Sequence, residues 1–185
     1  MKNTYLTSYF PLLAIILFST SLALKTQMEL VYFLKKTGIY QGMLEFFSAG
    51  GVKLSLTVLL LVLFFMVFAA LKLVADTING LSLLFFSKDL EGESLTKSRQ
   101  GSAIYFIGGA LSLLSLFSYI GIAILFAAAT FIYFSYFVYK ASSSLTASGI
   151  AGVIFFQVMV WSSLLTGILY LSLKIHNSIM ASLPI

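Results

Sequence analysis

The sequence predicts an all-α, polytopic membrane protein, a bundle of five transmembrane helices with short interfacial helices, forming one membrane domain over residues 1–185. Three observations predict it. Apolar residues make up 60% of the chain, above the roughly 45–50% of soluble domains. Charged residues are only 9%, eleven Lys or Arg and six Asp or Glu, a formal +5, too few to cover a water-facing surface. The charges also fall between apolar runs that approach the ~20 residues a spanning helix needs. A soluble enzyme and a disordered tail are thereby excluded. The basic residues are dispersed at the ends of apolar runs, with no stripe to follow a phosphate backbone, so no nucleic-acid partner is expected.

The first span is expected over 6–24. Pro11 falls in its first turns, where a missing N–H costs little. Tyr5, Tyr9 and Phe10 mark one interface and Lys25 the other. Ser21-Leu22-Ala23 offers the small residues of a signal-peptide cleavage site behind the single basic residue Lys2. The apolar run continues through Leu24 and four further apolar segments follow, which favours retention as a span.

Residues 26–50 interleave apolar positions such as Met28, Val31, Phe33, Met43 and Phe47 with Gln27, Glu29, Lys35, Lys36, Gln41 and Glu45. Neither half is long enough to span. Short helices in the headgroup layer and a hairpin packed on the bundle both fit. The second span, 54–71, is almost solidly Leu, Val, Phe and Met between Lys53 and Lys72. Lys72 and Asp76 are four apart and can pair, in the weaker order for a helix. Beyond them Ile78, Leu81, Leu84 and Phe85 form an apolar face opposite Asn79 and Ser82, as the end of the same helix or as a separate interfacial one.

The stretch 88–100 carries six charges, Lys88, Asp89, Glu91, Glu93, Lys97 and Arg99, and reads as the exposed polar loop. Residues 102–139 then hold no formal charge. One straight helix of that length would measure about 57 Å against a hydrocarbon core of about 30 Å. A break at Ser118-Tyr119-Ile120-Gly121 gives a third span at 102–118 and a fourth at 122–139. Gly108, Gly109 and Ser112 on one, and Ala123 and Ala127 on the other, let the pair approach closely. Aromatic residues from Phe131 to Tyr139 suit a headgroup-level belt. After a polar connector at 140–149, the fifth span occupies 150–173 and ends near Lys174 and His176.

With the N-terminus inside, six basic residues (Lys2, Lys72, Lys88, Lys97, Arg99, Lys140) face the cytoplasm and five (Lys25, Lys35, Lys36, Lys53, Lys174) face outward. The small excess tips the N-terminus inward.

No Asp, Glu, Lys, Arg or His lies inside the five expected cores, which weighs against ion-coupled transport. Catalytic, cofactor and metal sites are not expected. His176 is solitary, Cys is absent, and no P-loop, Rossmann glycine pattern or hydrolase motif occurs. Gln157 stands out in the fifth span, because an amide in hydrocarbon needs a partner. It could line a polar crevice with Ser162, Thr166, Ser112 and Ser115. Glu29, Glu45, Lys72 and Asp76 are the candidates for interfacial contacts.

The stretch MKNTYLTSYFPLLAIILF, the segment LKTQMELVYFLKKTGIYQGMLEFFS and the run FFMVFAALKLVADTINGLSLLFFSKDLEGES resemble a YufK-like family of small integral membrane proteins from Bacillus-type bacteria. The resemblance covers the whole chain. It implies a bacterial plasma membrane setting, and it brings neither an assigned activity nor functional residues.

Three functions remain. The first is an accessory or scaffold protein that binds a membrane protein or lipid through 26–50 and 88–100. The second is a small transporter or channel subunit, forming a homo-oligomer because five helices enclose little space. The third is an interfacial lipid-modifying enzyme using Glu29, Glu45 or Asp76 with His176. Membrane lipids are partners in all three.

Overall fold

The computed structural model describes residues 4–89, 92, 95–96 and 99–182. These residues are helical almost throughout, because a backbone in lipid must satisfy its own hydrogen bonds. The helices are α1 (Thr4–Lys36), α2 (Ile39–Leu44), α3 (Ala49–Phe86), α4 (Ser102–Ser112), α5 (Tyr119–Ala141) and α6 (Ala147–Ser182). Their ends follow from local chemistry. Gly38, at φ 78°, stops α1 in the left-handed conformation that glycine adopts without strain. Ser48, Ser118 and Thr146 each accept a backbone N–H three residues on, at 3.1 Å, and so open α3, α5 and α6.

Four of these helices are long and apolar enough to cross a membrane, not five. The expected span 102–118 is the exception. Its α-helix stops at Ser112 and tightens into a 3₁₀ turn, Leu113–Ser115. Ser112 Oγ donates to the Gly109 carbonyl at 2.7 Å, which competes with the helical ladder. Eleven α-helical residues rise only about 17 Å.

The other helices exceed their expected bounds. At 33, 38 and 36 residues, α1, α3 and α6 measure about 50–57 Å. Residues 26–36 therefore continue α1 rather than forming a separate interfacial helix. Only α2 is a short helix in that segment. It folds back so that Tyr40 packs with Val31 of α1 and Val52 of α3. Likewise, residues 73–86 continue α3.

Of the loop 88–100, residues 90–91, 93–94 and 97–98 lie outside the described residues, as does the side chain of Arg99. The expectations for Glu91, Glu93 and Lys97, and for Lys2 at the N-terminus, fall there. Lys88 is anchored, donating its backbone N–H to the Ser144 carbonyl at 3.2 Å.

Named contacts fix the packing. Phe68 of α3 meets Phe18 of α1 and Phe126 of α5, and Val31 meets Val52, so α1 and α3 are antiparallel. Phe10 stacks on Phe106 and Ser21 bonds Ser112, so α4 runs parallel to α1. Tyr105 bonds Thr130, and Gly108 faces Ala129, so α5 returns antiparallel to α4. The start of α6 packs on the end of α3, where Gly149 and Gly152 lie against Phe86. Leu83, Phe137, Ala141 and Val153 form the apolar core of that end.

The glycines at the α1–α4 contact have no room to spare. A Cβ at Gly109 would sit 2.9 Å from Leu17 Cβ. Gly109→Leu is expected to cost about 1–3 kcal/mol through overpacking. Gly80, whose added Cβ meets nothing within 4 Å, is the control. There Gly80→Ala gains about 0.5–1 kcal/mol from helix propensity. Denaturant titration in mixed micelles reads both.

Candidate functional site

The most polar interior of the molecule lies between α3 and α6. Gln157 is 3% exposed. Its Nε2 donates to Asn79 Oδ1 at 2.7 Å and to Ser82 Oγ at 3.4 Å. Ser82 Oγ in turn donates to the Asn79 carbonyl at 2.8 Å. The three side chains thus form a closed network of the kind that joins helices in hydrocarbon. Asn79 and Ser82 are its unexpected members. The sequence placed them opposite an apolar face, and they are indeed opposite Leu81, Leu84 and Phe85. Of the expected apolar face, Leu81, Leu84 and Phe85 are exposed, Leu84 by 73%, whereas Ile78 is buried along with Asn79 and Ser82. In lipid most of the apolar face turns outward and the polar face inward.

The other expected crevice residues do not join Gln157. Ser162 and Thr166 are exposed farther along α6. Ser112 lies across the bundle, where its Oγ is 2.7 Å from Ser21 Oγ. Ser115 is half-buried in the 3₁₀ turn. The separation has a packing cause: α4 meets α1 and α5, whereas α6 meets the far end of α3. Two small polar contacts therefore replace one crevice. Ser19 Oγ is buried with no hydrogen-bond partner among the described residues.

Lys72 Nζ pairs with Asp76 Oδ1, and its depth differs from the sequence reading. Lys72 is one turn beyond Phe68, whose ring meets Phe18 and Phe126. One further turn along α1 and α5 reaches Ala14 and Thr130, near the middle of their apolar stretches. Lys72 is thus level with Ala14, in the first third of α1, and with Thr130, near the middle of α5, although it ends the apolar run of its own helix; Asp76 lies one turn nearer the start of α1. The helices are offset along their axes.

The remaining candidates are dispersed. Lys25 Nζ is 2.6 Å from Glu29 Oε1 and lies 5.3 Å from the centre of the Tyr119 ring, a pairing that fixes the α4–α5 turn against α1. Glu45 is exposed just after α2. His176 is nineteen residues beyond Gln157, about 28 Å along the helix, whereas Asp76 is within one turn of Asn79. Asp76 and His176 are therefore not brought together. Among the described residues no three His, Asp or Glu side chains converge as metal ligands.

The end of the molecule around α2 has its own character. Phe46 is 82% exposed, and Tyr32, Phe33, Ile39 and Phe47 are exposed with it. Lys35 and Lys36 at the end of α1 and Lys53 near the start of α3 are exposed too. Lys35 Nζ sits 5.2 Å from the centre of the Tyr40 ring. Beneath this surface Val31, Tyr40 and Val52 form a small core that holds it in shape.

Comparison with known proteins matches residues 27–184 to a family described as a family of unknown function, DUF5366. The uncharacterized membrane protein YufK of Bacillus subtilis (strain 168) is 48% identical over 185 residues, covering all of both chains. No solved structure matches.

Two outcomes are expected for the buried polar groups. Gln157→Leu strands the Asn79 amide. A double-mutant cycle with Asn79→Leu should give a coupling of about 0.6–1.7 kcal/mol, read by unfolding in micelles. Ser19→Ala removes an unsatisfied hydroxyl and should leave stability unchanged or raise it by about 1 kcal/mol.

Proposed function

Because the chain belongs to the DUF5366 family and is a multi-pass protein of the bacterial plasma membrane, we propose an accessory or scaffold role in which the end around α2 binds a membrane partner protein. The observation that carries this reading is the exposure of Tyr32, Phe33, Phe46 and Phe47 on the elements that the small core of Val31, Tyr40 and Val52 joins. Aromatic residues on a rigid support are the usual anchors of an interface. The interior supports the same role. Gln157, Asn79, Ser82, Ser21 and Ser112 spend their hydrogen bonds on one another, and so hold helices together.

A second reading, a small transporter or channel subunit, draws support from the depth of the Lys72–Asp76 pair. Lys72 is level with the middle of α5, and a charge pair within the apolar part of a bundle is costly and is kept where it lines a path or a partner contact.

One experiment separates the two. A photocrosslinking side chain at Phe46 in native membranes should give one reproducible adduct of defined mass. Phe47→Ala in the same chain should lower the yield about tenfold or more, since a buried Phe is worth ~1.5–3 kcal/mol. No adduct at Phe46, together with selective solute flux through the pure protein in liposomes that Lys72→Gln abolishes, would overturn the scaffold in favour of the transporter.

A further inference from the structure

Three helices mark one membrane surface at a common level. Lys25 of α1 pairs with Glu29 and lies over the ring of Tyr119, the first residue of α5. Phe18 meets Phe68, so Lys25, seven residues on, is level with Leu61 of the antiparallel α3. Gln157 bonds Asn79, so Lys174, seventeen residues on along α6, is level with Val62 of α3. Lysines and a tyrosine at one depth identify the headgroup layer.

Helix α1 runs on past that level for eleven residues, to Lys36, about 16 Å. A headgroup layer is only about 5–8 Å thick. Even a tilt of about 40° leaves the end of α1 about 12 Å out. The end of the molecule that Val31, Tyr40 and Val52 join therefore stands beyond the lipid. It is nevertheless apolar on the outside. Phe46 and Phe47 are exposed there, and so is Leu54 of α3, by 66%. Lipid tails do not reach this height, and exposed apolar groups in water are covered by protein.

Charge decides what kind of protein. Lys35, Lys36 and Lys53 are exposed at this end. Its acidic residues are Glu45 and Glu29, and Glu29 is paired with Lys25. Asp76 is paired with Lys72 farther along α3, and the acidic tract that begins at Asp89 follows the opposite end of that helix. A second copy inserted in the same direction would thus bring lysines against lysines. We propose that the partner of the α2 end is a different membrane protein, which offers it an acidic segment outside the bilayer. Carboxylates of that segment meet Lys36 and Lys53, and its apolar side chains cover Phe46 and Phe47. Opposite potentials of this kind select the partner and speed its encounter. The acidic segment rests on the partner reading above and adds the partner's chemistry to it.

Two measurements test it. The chain has no cysteine, so single cysteines report exposure to water. In phosphatidylcholine nanodiscs holding the pure protein, a charged maleimide should label Phe46→Cys readily and leave Val67→Cys, on the lipid-facing side of α3, unlabelled. In native membranes, a photocrosslinking side chain at Phe46 should give a protein adduct that falls about tenfold or more when Lys36→Glu and Lys53→Glu are combined. The adduct should also fall as salt rises from about 0.05 M to about 0.5 M. Lys36→Arg with Lys53→Arg should keep it. Lys35, which rests on the Tyr40 ring, is left in place so that the small core stays intact. A protein adduct indifferent to lysine charge and to salt would leave the partner reading standing and overturn the acidic segment. Absence of any protein adduct would overturn both. An adduct of twice the 20.3 kDa chain, an adduct with lipid alone, or Phe46→Cys as inert as Val67→Cys would overturn the acidic segment in favour of a second copy or of lipid.

Discussion

The structure depends on a single condition: inside hydrocarbon a polar side chain has no water to turn to, so it must find a partner within the protein. Gln157 meets this condition by bonding Asn79 and Ser82. Those bonds determine where α6 lies on α3, which side of α6 faces the bundle, and how far its second half stands away. Ser21 and Ser112 do the same for α1 and α4. Apolar contacts such as Phe18 with Phe68 and Phe126 fill the space between these joints. Lipid tails are as apolar as leucine, so such contacts specify little about partner choice on their own.

The same condition explains the reversed amphipathic face near the end of α3. Leu81, Leu84 and Phe85 on one side, with Asn79 and Ser82 on the other, would read in water as a core face and a surface face. In lipid the roles exchange, and the apolar residues are the exposed ones. The sequence grouped Ile78 with Leu81, Leu84 and Phe85, but Ile78 is buried along with Asn79 and Ser82, so patterning found the outward side only in part. The pattern is a property of the helix, whereas its polarity inward or outward is a property of the solvent.

Functionally, the molecule divides its polar resources. Apart from Ser19, the buried hydroxyls and amides described above are hydrogen-bonded and act as fasteners. The groups left for other molecules are the aromatic and lysine side chains around α2 and the Lys72–Asp76 pair on α3. A binding or assembling protein needs such surfaces more than it needs a reactive centre, and membership of a family of unknown function leaves the partner to be identified by experiment.

The sequence by itself determined the medium, the all-helical class and most helix locations. Sixty per cent apolar residues and 9% charge admit no other surroundings, and hydrocarbon admits few backbones besides helices. It also singled out Gln157, because a lone amide among Leu, Val and Phe is visible without coordinates. Only the tertiary structure decided that Asn79 and Ser82 are its partners, that α4 stops short of a full span, and that Lys72 is level with Ala14 of α1 and Thr130 of α5. The reason is that hydropathy is read along one helix at a time. Axial offset, the choice of neighbour and the side a helix turns inward are relations between helices, and they are settled by which contacts can be made together.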